Sequence, residues 1–364
     1  MAVTDADTRA GGTPEEESGP SHAAPTMVPP PEALPDVLPT DRLLESAKPV
    51  RELRDELRQI DDVRNVGTVL ACWAQVAATV AFALYFNTVW SWAIAFVFMG
   101  AAHARMAILM HEAAHKLLFT NKRVNDTVGR WIGSYPALVP MELYRRSHFA
   151  HHKEEFGPNE PDLPLYNGYP ITRSSFRRKL WRDLRGSTGW KNVKPLLTTI
   201  RAEEGFGIAR KILLSQIVLA AAMTAVGVWA VGPVGVLTYP VLWIGSWMTI
   251  WRVINRLRSI AEHGGLEASS DRRRTTHHVE QNLLARFWVA PLNTGWHLAH
   301  HVDMGVPFRN LPELHEELVA SGWVTEVYTY PNYRSLWRAL SSRPEEGAER
   351  PAPAETPGSM TFQA

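Results

Sequence analysis

Two stretches of this chain carry no charged residue, Asn65 to Ala104 and Ile212 to Trp251, 40 residues each, although the sequence holds 38 Lys+Arg and 37 Asp+Glu. A helix needs roughly 20 apolar residues to cross a hydrocarbon core of about 30 Å, so each stretch is long enough to cross twice. Each also breaks near its middle at turn-forming residues, Asn87-Thr88 in the first and Gly232-Pro233 in the second. The pattern predicts an all-α integral membrane protein with four transmembrane helices in two hairpins, at about 67–87, 90–110, 212–231 and 235–256. Trp90, Trp92 and Trp229 lie near the turns, where amphipathic rings favour the interface. Long buried helices in a soluble protein are the alternative, and uncharged runs of this length lie far outside soluble composition. The mean hydropathy of −0.17 hides this segregation of charge.

Neither connecting turn carries Lys or Arg, so every basic residue lies on the opposite side, which the positive-inside rule makes cytoplasmic. Both tails and the Arg105–Lys211 loop are expected there, and the first 20 residues lack the basic start and apolar core of a secretory signal. The formal charge of +1 argues against a nucleic-acid partner. One cysteine, Cys72, excludes a disulfide framework, a Cys-ligated zinc and a built-in iron–sulfur cluster. Residues 1–40 hold eight prolines, and 343–364 is similarly rich in Pro, Glu and Ala, so both are expected to be disordered tails around a domain at 41–342. Two amphipathic surface helices are also expected. One sets Leu53, Leu57 and Ile60 opposite Arg51, Arg54 and Arg58; the other sets Phe176, Leu180, Trp181 and Leu184 in a dense Arg/Lys face. Such helices suit a headgroup plane or the surface of a cytoplasmic domain.

Eight of the 14 histidines form three clusters: His111-Glu-Ala-Ala-His115 at the end of the second span, His148-Phe-Ala-His151-His152 in the central loop, and His297-Leu-Ala-His300-His301 after the fourth span. On a helix, positions i, i+3 and i+4 share one face, so each cluster aims two or three imidazoles at one spot. If the second span enters near Trp92, His111 emerges about 28 Å on, at the level of the other clusters. This is more ligand than one metal can use. Imidazole suits iron, zinc, copper and nickel alike, so the donors alone do not select the ion.

The pattern resembles the membrane fatty acid desaturase/hydroxylase superfamily, over roughly Leu43 to Leu340, and is most similar to its bacterial acyl-lipid members. Three further stretches carry the likeness: Pro158-Asn-Glu-Pro-Asp162, Arg182-Asp-Leu-Arg-Gly186, and Val306-Pro-Phe-Arg-Asn-Leu-Pro-Glu-Leu-His315. The resemblance implies a non-haem diiron centre, two Fe ions with O2 as co-substrate, held by His111, His115, His148, His151, His152, His297, His300 and His301. It implies a ninth ligand just past the fourth span, and His263 in Ala261-Glu-His-Gly-Gly265 is the matching position. The implied activity inserts a C=C bond in an acyl chain, carried as lipid or thioester; hydroxylation of an acyl chain, alkane or carotenoid on the same centre is the alternative. Ala299, where a polar residue is frequent, and Met304, where a Pro often follows, depart from the family pattern without removing a ligand.

His111-Glu112-Ala-Ala-His115 also matches the HExxH motif of zinc proteases. That reading leaves six clustered histidines unexplained and finds no Asp-Gly pair for a third ligand. A soluble carboxylate diiron bundle needs a second Glu-x-x-His, which is absent. A metal-binding receptor or scaffold would differ by holding inert zinc in place of redox-active iron. Of the other histidines, His103 is expected to make an interhelical hydrogen bond, His315 to pack or cap, and His277 and His278 to lie in a loop. No Cys-x-x-Cys pair, His-Pro-Gly-Gly segment or dinucleotide fingerprint occurs, so a separate electron carrier is expected: ferredoxin, rubredoxin or cytochrome b5 with its reductase.

Overall fold

The computed structural model describes residues 27–202 and 207–345. The helices in chain order are α1 (Arg51–Leu57), α2 (Asp62–Phe86), α3 (Val89–Ala114), α4 (Lys122–Val128), α5 (Met141–Lys153), α6 (Leu163–Tyr166), α7 (Arg173–Leu184) and α8 (Ser187–Ala202). They continue as α9 (Ile208–Val231), α10 (Ser246–Met248), α11 (Ile250–His263), α12 (Leu283–Trp288), α13 (His297–Val302), α14 (Leu311–Ala320) and α15 (Tyr333–Leu340). Between α9 and α10 the helix tightens to a 3₁₀ turn at Gly232–Leu237 and widens to a π-helix at Thr238–Gly245.

Local chemistry sets the ends of the first long pair. The Asp61 side chain accepts from Arg64 N to start α2, and Asn87 in the left-handed region (φ 41°) stops it. Thr88 and Ser91 then form a reciprocal capping box that starts α3. Three helical stretches are long and apolar enough to cross a membrane: Asp62–Phe86, Val89–Ala114 and Ile208–His263. The last contains both of the expected later spans. Its chain reverses at Gly232 (φ 71°), and a Cβ on Gly235 would lie 2.0 Å from the Gly227 carbonyl carbon. Eight residues of straight helix span about 12 Å, so only a reversal brings these two glycines together. The expected span at 235–256 is not one regular helix, because the 3₁₀ and π segments and a break at Thr249 (φ −121°) interrupt it. Trp90 and Trp229, near the two turns, are exposed.

The apolar core runs from Cys72, Val76 and Leu84 of α2 through Met99, Met106 and Leu109 of α3 to Met223, Leu242 and Trp243. Its polar groups are partnered across elements. Trp243 Nε1 donates to Pro136 O at 3.1 Å, Trp247 Nε1 to Ala137 O at 2.8 Å, and Gln216 Nε2 to Tyr135 O at 2.7 Å, satisfying a buried turn. His103 makes the expected interhelical bond, to Trp243 O at 3.1 Å.

A second core builds the region around the third histidine cluster. Leu53 and Leu57 of α1 pack there with Leu298, Ala299 and Val302 of α13 and Leu311 and Leu314 of α14. The apolar stripe of α1 is therefore covered by protein and does not face lipid. Ala299 is fully buried in this contact, so a polar side chain there would be desolvated. Residues 27–40 lie against the domain, with Val28 buried, Leu34 and Leu38 packed on the second core and Arg273 Nη1 donating to Pro35 O at 2.9 Å. Composition misses this because the partners of those prolines are distant in sequence. Residues 1–26 and 346–364, the rest of the expected tails, lie outside the described residues.

The described residues are mainly helical, with a two-stranded pair and an isolated bridge between Leu43 and Pro49 as departures from all-α. His278–Val279 (β1) pairs in parallel with Thr329–Tyr330 (β2), where a loop was expected. Two residues cannot show a period, so no pattern signals such a strand.

Candidate metal centre

Four helices deliver the nine histidines. His111 closes α3 and His115 caps it; α5 presents His148, His151 and His152; α11 ends on His263; α13 presents His297, His300 and His301. All nine are buried. The end of α3 is fixed from α5 and α4. Arg145 donates to Ala114 O at 2.9 Å and Ala113 O at 3.0 Å, and Asn125 Nδ2 donates to Ala113 O at 2.9 Å. These bonds satisfy carbonyls that a helix terminus leaves open.

The donors fall into two groups, His111, His115, His148, His152 and His300 in one, His151, His263, His297 and His301 in the other, with the ligand atoms of each group within 4.8 Å of one another. The groups adjoin: the rings of His152 and His301 are 4.5 Å apart between centroids. Within the first, Nε2 atoms face each other at 2.8 Å (His115–His148), 3.1 Å (His148–His152) and 3.0 Å (His152–His300). Within the second, His297 Nε2 faces those of His263 at 3.1 Å and His301 at 3.0 Å. Donors at roughly 2.0–2.1 Å from one metal stand about 2.9–3.4 Å apart, so these separations are those of a ligand shell.

Tautomers test the fit. His263 Nδ1 must donate to the Thr275 carbonyl at 2.8 Å, since a carbonyl can only accept. Neutral His263 then turns an unprotonated Nε2 inward. His301 Nδ1 and His151 Nδ1 likewise donate to the carboxylates of Glu155 and Glu160, and His297 Nδ1 lies 3.6 Å from Glu262 Oε1. In the four-histidine group these bonds occupy the Nδ1 side and leave the Nε2 side of the neutral rings as a donor, which suits a cation. In the five-histidine group the fit rests on the spacing of the donor atoms.

Burial first, then neighbouring imidazoles, holds His148, His152, His300 and His301 well below the ordinary imidazole range, which keeps them neutral. His115 is pushed down to about 4 by burial and then by Arg145. In His151 burial is outweighed by the hydrogen bond and charge of Glu160, which raise it.

The residues around the histidines explain the other quoted stretches. Glu160, of Pro158-Asn-Glu-Pro-Asp162, also accepts from Tyr166 Oη and Phe156 N. Asp183, of Arg182-Asp-Leu-Arg-Gly186, is buried and pairs with Arg256 of α11. Phe308 N, after the third cluster, donates to Glu112 Oε1 at 2.9 Å. That bond binds the Glu112 carboxylate to a backbone amide, where a protease would need a free general base. Sequence reasoning did not single out Glu155, Glu262 or Thr275. Each acts through a neighbour far along the chain, and a spacing rule reads only one element at a time. His277 donates to Gly264 O at 2.8 Å and His278 stacks on His315 at 4.2 Å, so none of these three joins the centre. His22 lies outside the described residues.

A polar cavity of about 180 Å³ reaches the histidines and is lined also by Tyr144, Asp162, Asn255, Arg258 and Glu262. A larger apolar groove of about 670 Å³, between Val66–Trp73 and Leu214–Ala222, contains none of the nine histidines. Of these two cavities, the smaller is the one lined by histidines of both groups.

Apolar helices long enough to span a bilayer, together with buried histidine clusters that could hold metal, define a membrane-type protein. The chain belongs to the fatty acid desaturase family, whose model matches residues 62–333, and it is an oxidoreductase. It is 24% identical over 273 residues to dihydrorhizobitoxine desaturase of Bradyrhizobium elkanii, covering 71% of this chain and 76% of that protein. It is 22% identical over 303 residues to the chloroplastic omega-6 fatty acid desaturase of Arabidopsis thaliana, covering 78% of this chain and 65% of that one. A segment of 63 residues is 36% identical to the Delta(12) fatty acid desaturase of Mortierella alpina, 17% of this chain and 16% of that protein.

Proposed function

We propose that this chain is a membrane-bound diiron desaturase that places a C=C bond in an acyl chain, using O2 and two electrons from a separate carrier. The observation that supports the reading is the division of nine buried histidines into groups of five and four, the ligand atoms of each group lying within 4.8 Å of one another. His111, His115, His148, His152 and His300 would hold one iron; His151, His263, His297 and His301 would hold the other. When bound, the metal pair supplies the reduction of O2 and the oxidising power needed to take hydrogen from an unactivated CH2.

The protein's own part is geometric. Glu155, Glu160 and the Thr275 carbonyl take the Nδ1–H of His301, His151 and His263, so each ring turns a fixed lone pair inward. Arg145 fixes the end of α3 and with it His115. Burial of all nine rings leaves the cavity of about 180 Å³ as the approach to His111, His148, His151, His263 and His297. The electron balance requires a partner: reducing O2 to two waters takes four electrons, and CH2–CH2 going to CH=CH gives two. We place the two pairs of spans in four crossings, with the reversal at Gly232 as support, and the histidines and both termini on the cytoplasmic side.

A shorter, polar substrate is the second reading. It is favoured by the polar lining of the 180 Å³ cavity and by the relative named as a dihydrorhizobitoxine desaturase. Mass-spectrometric profiles of the host, of a strain lacking the gene, and of that strain carrying His151→Ala separate the readings. A double bond lost from the acyl pool on deletion and not restored by His151→Ala is the expected result. Loss of an oxygenated chain would make the enzyme a hydroxylase, and an unchanged acyl pool would favour the polar substrate. Purified protein should hold two irons per chain; zinc in their place would overturn the redox assignment.

A further inference from the structure

Arg105 stands within α3, among residues otherwise suited to a bilayer, six positions before His111 and so about 9 Å from it along the helix axis. A charged side chain at such depth is costly and normally faces a cavity or a partner. Its Nη1 donates to Ala101 O at 3.3 Å and Phe287 O at 3.4 Å, and the guanidinium lies 4.5 Å from the Phe287 ring centroid. Among the described residues it has no ion pair. It lines a cavity of about 470 Å³ together with Arg64 and Arg309. Arg309 spends Nε on Asn65 Oδ1 at 2.8 Å and Nη2 on Arg64 O at 2.7 Å and Thr68 Oγ1, and it too has no ion pair among the described residues. Among the described residues Arg64 pairs with Asp61 alone, at 3.3 Å. The remaining wall includes Gly67, Ala71 and Leu292, and Leu292 packs on both apolar cores.

We infer that this cavity is a binding site for the anionic head, carboxylate or phosphate, of a single-chain amphiphile. Three guanidinium groups line one space and, among the described residues, Arg64 alone of them makes an ion pair, so the site holds positive charge beside apolar surface. The guanidinium fork matches both carboxylate and phosphate. An anionic head would offset the charge, and the apolar wall would take the start of its chain. The site is separate from the nine histidines, and its occupancy does not require metal.

Gly67 gives a direct handle, since a Cβ added there meets nothing within 4 Å. Gly67→Phe fills the cavity without entering the protein core. Binding is measured by calorimetry on the purified full chain in neutral detergent, with palmitate, palmitoyl lysophosphatidate and methyl palmitate as probes. We expect wild type to bind at least one anionic probe about tenfold or more tighter than the methyl ester, the scale of a charge-assisted hydrogen bond. Arg105→Gln should remove that preference, Arg105→Lys should keep most of it, and Gly67→Phe should abolish anionic binding with unchanged thermal unfolding. Preference for palmitate would identify a carboxylate head, and preference for lysophosphatidate a phosphate head. Equal affinity for palmitate, lysophosphatidate and methyl palmitate in wild type would overturn the inference. So would anionic binding that survives both Arg105→Gln and Gly67→Phe. The readout is affinity, so its failure would leave the desaturase reading untouched.

Discussion

The five-histidine and four-histidine groups are built from the same ring and differ in what stands behind it. Behind the four lie Glu155, Glu160, Glu262 and the Thr275 carbonyl, and the ion-pair contacts of histidine among the described residues all belong to this group. Among the described residues no histidine of the five makes an ion-pair contact, although Glu155 lies within 4.8 Å of His152, and His111 Nδ1 has no hydrogen-bond partner. Anionic partners fix the tautomer and make imidazole a stronger donor. In the proposed centre the smaller group would have fewer, stronger donors, and the larger group an extra donor in place of most of that anionic support. Arg272, 2.6 Å from Glu155, ties that support to the loop after α11.

The sharpest way to break this comparison is to remove a ligand from each side. His263→Ala leaves three histidines in its group, and we expect that metal to be lost with activity falling to background. His300→Ala leaves four, and should lower activity as far while retaining more of its metal; iron per chain and turnover are the measurements. Equal metal loss from both would show that number and support are not exchanging roles. Next in size, Glu160→Gln should cost about 10–100-fold in iron affinity or turnover, the usual effect of a partner behind a metal ligand. Should titration with a chelator give wild-type iron affinity in Glu160→Gln, the support argument collapses. Chelation itself should lower the thermal midpoint of the wild type, because a ligand bound only by the folded state stabilises it. That drop should be smaller in His263→Ala, which starts with less metal. The smallest effect expected is in Arg145→Met, which frees the Ala113 and Ala114 carbonyls at the end of α3. It should cost about 1–3 kcal/mol in unfolding free energy and loosen the five-histidine group before the other.

Much of this was legible in the chain. Periodicity within one helix made the three clusters visible, since i, i+3 and i+4 share a face whatever surrounds it. Asn87-Thr88 and Gly232-Pro233 were legible as breaks because their backbone preferences are local: Asn87 ends α2 in the left-handed region and Gly232 ends α9 at φ 71°. His263 was not visible by spacing, having no companion on its own helix; only likeness to a family raised it. Glu155 and Glu262 carried no signal, because their partners His301 and His297 lie far off in sequence. The fate of α1 was undecided for the same reason: an apolar stripe is the same to a lipid headgroup layer and to α14, and packing chose α14.

What the sequence by itself determined are quantities local to one segment: uncharged length, helix ends, and which imidazoles share a face. These follow from backbone geometry and hydration, which act residue by residue. Only the tertiary structure decided how nine rings divide five to four, which carboxylates stand behind them, and that Arg105, Arg64 and Arg309 meet around one cavity. Those facts depend on distances between elements hundreds of residues apart, and such distances are set by packing, which no single segment contains.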